Sequence, residues 1–162
     1  MAIRYFKIIL VFFVGLQGLL WVAANSANWN TGLENIAYVL SMEGHEVYTA
    51  NIFPPVTNPA LVTIAFLLIL TGEFLVGALS LKGAWDLWRV RNSSAEVFNA
   101  SKTYSILGTG MAMLVWFGGF IVIGGALFQM WQTPMGAASF RDSFVFAATG
   151  GLVLLIVSNP DT

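Results

Sequence analysis

Four stretches of almost unbroken apolar residues organise the 162-residue chain. They run Ile8–Ala24, Ala60–Leu81, Ile106–Phe128 and Ser143–Ser158. Crossing a hydrocarbon core of about 30 Å takes about 20 helical residues. The second and third stretches meet that length outright. The fourth spans 16 residues, only about 24 Å of helix. An earlier start is therefore expected there, with Arg141 snorkelling to the headgroups. The first stretch, behind Arg4 and Lys7, has the outline of a secretory leader, with small residues at Ala23 and Ala24. Its apolar run exceeds the roughly 7–15 residues usual for leaders, so a retained span is expected.

The polar segments predict the connections. Thr31-Gly-Leu-Glu34 matches a capping box, and Leu33, Ile36, Ala37 and Leu40 follow on one helical face. This predicts a short amphipathic helix over Thr31–Met42, lying along the outer surface or capping the bundle. Prolines at 54, 55 and 59 keep Asn51–Pro59 non-helical. Lys82–Arg91 extends the second span, Asn92-Ser93-Ser94 breaks it, and Ser93-x-x-Glu96 is a second capping box, opening the helix that becomes span three. The expected architecture is a single all-α membrane domain over residues 1–162, an antiparallel four-transmembrane-helix bundle.

Composition narrows the classes. Only 9% of residues are charged and 57% are hydrophobic, against about 25% charged in a soluble domain. A soluble enzyme and a disordered chain are both excluded. A net charge of −1 leaves no basic stripe for nucleic acid. The absence of cysteine removes disulfides, thiolate metal sites and iron–sulfur clusters, and a single histidine removes a bis-histidine haem within this chain.

The basic residues set an expected orientation. Arg4, Lys7, Lys82, Arg89, Arg91 and Lys102 fall on one side and Arg141 alone on the other. Both termini and the Lys82–Lys102 loop are therefore expected in the cytoplasm. The Asn25–Pro59 loop, carrying Glu34, Glu43 and Glu46 and no Lys or Arg, is expected outside. Trp21, Trp29, Tyr48 and Trp131 form the outer aromatic belt, and Tyr5, Trp85, Trp88 and Tyr104 the inner one.

One carboxylate, Glu73, lies inside a span, where a charge costs on the order of 2.5–3.5 kcal/mol. Depth counted from the basic boundary puts Glu73 nine residues from Lys82, about 13 Å in. By the same count Gln17 is ten residues from Lys7 and Thr149 nine from Ser158, with Trp116 similarly placed. A mid-membrane polar layer of Gln17, Glu73, Trp116 and Thr149 is expected, either joining helices through hydrogen bonds or exchanging protons.

Small residues at Gly108, Ala112 and Gly119 in span three, and Ala147 and Gly151 in span four, predict close helix packing or a smooth face for a partner. Glu43-Gly-His45-Glu46 gathers three possible ligands without the spacing of a helical metal motif, and its ordinary role is to cap and solvate a loop. No catalytic residue, cofactor site or metal site is assigned.

The stretches AYVLSMEGHEVY (Ala37–Tyr48), LKGAWDLWRVR (Leu81–Arg91), LVWFGGFIVIGGALFQMWQT (Leu114–Thr133) and SNPD (Ser158–Asp161) resemble a bacterial, mainly proteobacterial, family of small four-span integral membrane proteins built on a domain of unknown function. The resemblance runs nearly end to end and supplies no catalytic residue. It implies the bacterial inner membrane and, by analogy, an accessory subunit lying against cytochrome bc1 or a terminal (cytochrome c) oxidase, in contact with lipids. The expected function is thus a non-catalytic subunit packing against larger membrane subunits of the respiratory chain. The alternative is a small proton-coupled transporter centred on Glu73.

Overall fold

Helix breakers and side-chain caps stand where the chain turns, and long apolar runs between them wind without interruption. A computed structural model describes residues 1–162. It consists of α1 (Ala2–Ala27), α2 (Trp29–Ser41), α3 (Pro59–Arg89), α4 (Ala95–Ala100), α5 (Thr103–Ala112) and α6 (Pro134–Ser158), with no strand. Beyond α5 the third span continues as a π-helix over Met113–Leu127, and a short 3₁₀ turn, Met130–Gln132, leads into α6. Four helical rods are long and apolar enough to cross a membrane: Ala2–Ala27, Pro59–Arg89, Ala95–Leu127 and Pro134–Ser158.

The rods overrun the apolar stretches because polar caps, rather than the last apolar residue, end them. Asn58 caps α3 by accepting from the Ala60 N–H at 2.9 Å, with Pro59 in the first turn. Thr133 caps α6 by accepting from the Gly136 N–H at 3.2 Å, again with a proline following. The fourth span therefore starts at Pro134, and the exposed Arg141 sits within it.

Two expected caps are displaced. Thr31 opens no helix, because the chain is already helical there: the Asn28 N–H bonds Ala24 and the Gly32 N–H bonds Asn28, so the ladder of α1 runs on into α2. The amphipathic helix is thus the continuation of α1, beginning at Trp29. On the other side Ser94, not Ser93, caps α4, accepting from Val97 N–H at 3.4 Å. Ser93 is spent in the preceding turn, its N–H on the Val90 carbonyl at 2.9 Å.

Close backbone approach holds the bundle. Gly18 of α1 lies so near α3 that a Cβ there would stand 2.7 Å from the Glu73 carbonyl oxygen and 2.8 Å from the Gly77 nitrogen. Across α3 and α5, Gly83 meets the Ser105 backbone and Gly108 meets the Ser80 backbone, reciprocal contacts that admit no side chain at either glycine. Val11, Val76, Leu87, Phe98 and Trp116 fill the interior. The outside is as apolar as the inside: only 36 of 162 residues are buried, while Leu68, Leu114 and Leu155 are about two-thirds exposed. Such a surface needs hydrocarbon around it.

The start of α1, the α3–α5 connection and the C-terminus gather at one end, where most of the basic residues lie. At the other end the first long loop is pinned over the second connection. The Gln132 side-chain oxygen accepts from the Val47 and Tyr48 N–H groups at 3.0 and 2.8 Å, and its amide donates to the Tyr48 carbonyl at 3.2 Å. Tyr48 packs edge-on against Trp131, and Phe53 against Phe128.

Candidate functional site

Glu73 faces α1 from the middle of α3 and is 2% exposed. Gly18 makes this burial possible, since only a residue without a side chain lets α1 lie against the α3 backbone at that level. The partner of the carboxylate is Asn25, whose Nδ2 donates to Oε1 at 3.2 Å and to Oε2 at 2.9 Å. One amide thus spans both oxygens, closing the carboxyl group inside a single chain.

The expected layer of Gln17, Glu73, Trp116 and Thr149 does not assemble through hydrogen bonds. Gln17 makes no side-chain hydrogen bond and lines a shallow apolar groove with Phe13, Leu20 and Trp21. Thr149 is exposed and donates back to the Val145 and Phe146 carbonyls of its own helix. Trp116 is buried, but its neighbour is the Phe146 ring at 5.4 Å. The cause is register. Gly15 lies against Leu81 and Arg4 bonds the Arg91 carbonyl, so Lys7 is level with Arg89 rather than Lys82. That offset of seven residues is about 10 Å, and it brings Asn25 instead of Gln17 to Glu73.

The small residues divide in two. Gly108 packs on Ser80, Ala112 is fully buried with its methyl against Gly150, Ala147 is buried, and Gly151 meets the Met113 sulfur. These four close the bundle. Gly119 does not: a Cβ there would meet nothing within 4 Å, and the same holds for Gly110 and Gly118. Span three therefore carries an open glycine face outside its own bundle.

In the first loop, no three acidic or histidine side chains converge in the geometry a metal needs, so Glu43, His45 and Glu46 do not form a ligand set. Burial pushes the His45 imidazole below its ordinary pKa, and its Nδ1 is buried without a hydrogen-bond partner. Met42 and Gly44, both at positive φ, turn the chain sharply out of α2.

A second polar centre, absent from the expectations above, forms at the basic end. Asp161, just past α6, receives Lys7 at 2.7 Å and Lys102 at 2.6 Å on Oδ2, with Arg4 Nε 3.9 Å from Oδ1. Lys7 and Lys102 also donate to the Asn159 carbonyl. Asn99 exchanges two bonds with the Asp161 backbone, at 2.9 and 3.0 Å. All four charged side chains are less than a tenth exposed. The one signal in the sequence was the polar SNPD end following an apolar helix; Lys7 and Lys102 read there only as boundary markers.

The apolar exterior, four membrane-length rods and interior polar pairs define a small polytopic integral membrane protein. The chain belongs to the family described as "Predicted small integral membrane protein (DUF2165)", whose model matches residues 3–160. No curated protein and no solved structure matches it.

Proposed function

We propose that this chain is a non-catalytic accessory subunit that packs against a larger integral membrane protein through the open face of its third span. The observation carrying this reading is the set Gly110, Gly118 and Gly119, at each of which a Cβ would meet nothing within 4 Å. Glycine weakens a helix by roughly 0.5–1 kcal/mol relative to alanine, and here no contact within the chain compensates. A second helix lying along that face would supply the missing contact, because small residues let membrane helices approach closely. The closed Glu73–Asn25 pair agrees with a carboxyl group used to join α1 to α3.

The bacterial inner membrane is the proposed location, with both termini in the cytoplasm, supported by the six-to-one distribution of basic residues. Respiratory complexes of the cytochrome bc1 or terminal oxidase type are the first partners to examine, on analogy alone. A second reading, proton-coupled transport, draws on the burial of Glu73 in an apolar span.

Gentle detergent extraction followed by identification of co-purifying subunits tests the proposal. Gly118→Leu is the informative variant. Because a Cβ at this position meets nothing within 4 Å, the isolated protein should keep its fold while losing the partner. Recovery of the chain alone from mild detergent, or undiminished co-purification of Gly118→Leu, would count against an accessory role at this face.

A further inference from the structure

The basic end carries more positive charge than it neutralises. Arg4, Lys7 and Lys102 converge on Asp161, and no other carboxylate lies within 4 Å of them. The Arg91, Ser93 and Asn159 carbonyls occupy their donors, but a carbonyl dipole satisfies a hydrogen bond without cancelling a charge. Positive charge is therefore left in excess in a poorly solvated place, where uncompensated charge is most costly, and burial and the neighbouring Lys7 push the Lys102 pKa down.

A cavity of about 610 Å³ opens beside this cluster, lined by Arg4, Lys7, Ala95 and Asp161, with Ile3 and Ile156 among its apolar residues. Arg4 Nη1 is engaged by the Arg91 and Ser93 carbonyls at 3.1 and 2.7 Å, while Nη2 makes no hydrogen bond. The one acidic side chain at the cavity, Asp161, has its Oδ1 without a hydrogen-bond partner and Arg4 Nε 3.9 Å away.

We propose that this cavity receives the phosphate headgroup of an anionic membrane lipid, with Arg4 as the contacting cation, Lys7 in the cavity wall and Lys102 supplying field from behind. The location selects a lipid over a free anion. The cavity lies where α1 begins and α6 ends, the level at which a membrane helix meets headgroups, and Ile3, 54% exposed, and Ile156 offer apolar surface to the acyl chains. Basic pockets between helices at this level suit phosphate headgroups, and guanidinium matches phosphate oxygens geometrically.

The full chain, reconstituted with equal phosphatidylglycerol and phosphatidylcholine and then delipidated in mild detergent, tests this by native mass spectrometry. One phosphatidylglycerol per chain should be retained, with a preference on the order of tenfold over phosphatidylcholine, as one to two uncompensated charges near a membrane surface imply. Ala95→Glu places a carboxylate in the cavity at the first turn of α4, where an acid suits the helix. It should bring the preference close to parity, whereas the isosteric Ala95→Gln should keep most of it. Equal retention of both lipids by the unmodified chain overturns the proposal, and that result does not depend on either variant folding. A preference unchanged in Ala95→Glu overturns the placement. Displacement of the retained lipid by millimolar glycerol 3-phosphate would reassign the cavity to a soluble phosphate and overturn the lipid assignment.

Discussion

Asp161→Ala should detach the C-terminal tail and destabilise the whole bundle, because one carboxylate ties three elements together. Lys7 belongs to α1, Lys102 precedes α5, and Asp161 follows α6. At an effective dielectric of about 20, each of the pairs at 2.6 and 2.7 Å contributes roughly 6 kcal/mol of Coulomb attraction. Desolvation of each ion takes back several kcal/mol of this, so the intact cluster is worth far less than its gross attraction. Removing the carboxylate is another matter, since it leaves three buried cations facing one another. The loss should be about 3–5 kcal/mol, a large part of a typical stability of about 5–15 kcal/mol.

Asp161→Asn keeps the shape and an amide oxygen able to accept from Lys7 and Lys102, so it should lose less than the alanine variant, while the backbone exchange with Asn99 survives in both. Reversible unfolding in mixed micelles measures both changes, and protease sensitivity beyond Ser158 reports the tail. Burial opposes ionisation of Asp161, but hydrogen bonds and charge from Lys102 and Lys7 outweigh it and hold the pKa below the ordinary carboxylate range. A depressed folded-state pKa means the stabilisation is complete above the unfolded value of about 3.9 and is lost as pH falls through the folded value. The tail should accordingly stay docked at neutral pH and release only in strong acid, a step that Asp161→Asn lacks. Unfolding of Asp161→Ala within about 1 kcal/mol of the unmodified chain would refute the idea that this cluster binds the bundle.

Gly108→Ala, which drives a methyl into the Ser80 backbone, should cost about 1–3 kcal/mol, while Gly118→Ala should be neutral or stabilise by up to about 1 kcal/mol; thermal unfolding in detergent compares them. Glu73→Gln should keep the fold through an amide pairing with Asn25, and unchanged complex assembly and activity in that variant would eliminate the proton-exchange reading. Gln132→Ala removes the three hydrogen bonds holding Val47 and Tyr48, so hydrogen exchange in that loop should rise with little change in global stability.

Membrane class, four helices and the positions of their connections were legible in the sequence because each follows from local composition. Twenty apolar residues in a row admit one solvent and one secondary structure, since an unpaired backbone is intolerable in hydrocarbon. Prolines at 54, 55 and 59 and the polar break after Arg91 were equally local. The π winding of Met113–Leu127 was not legible: every residue there is apolar or glycine, so no polar position exists to mark the period.

What each polar residue meets was decided by helix register, which is a property of two chains of side chains packed together. Counting from Lys7 and Lys82 treated both as headgroup markers. The tertiary structure instead uses Lys7 on Asp161, at the far end of the chain, and slides α1 along α3 by about two turns. That slide pairs Glu73 with Asn25 and leaves Gln17 facing outward. Likewise, which glycines close the bundle and which stay open depends on the rotation of span three about its axis. A hydropathy pattern carries no information about that rotation when lipid and interior are equally apolar.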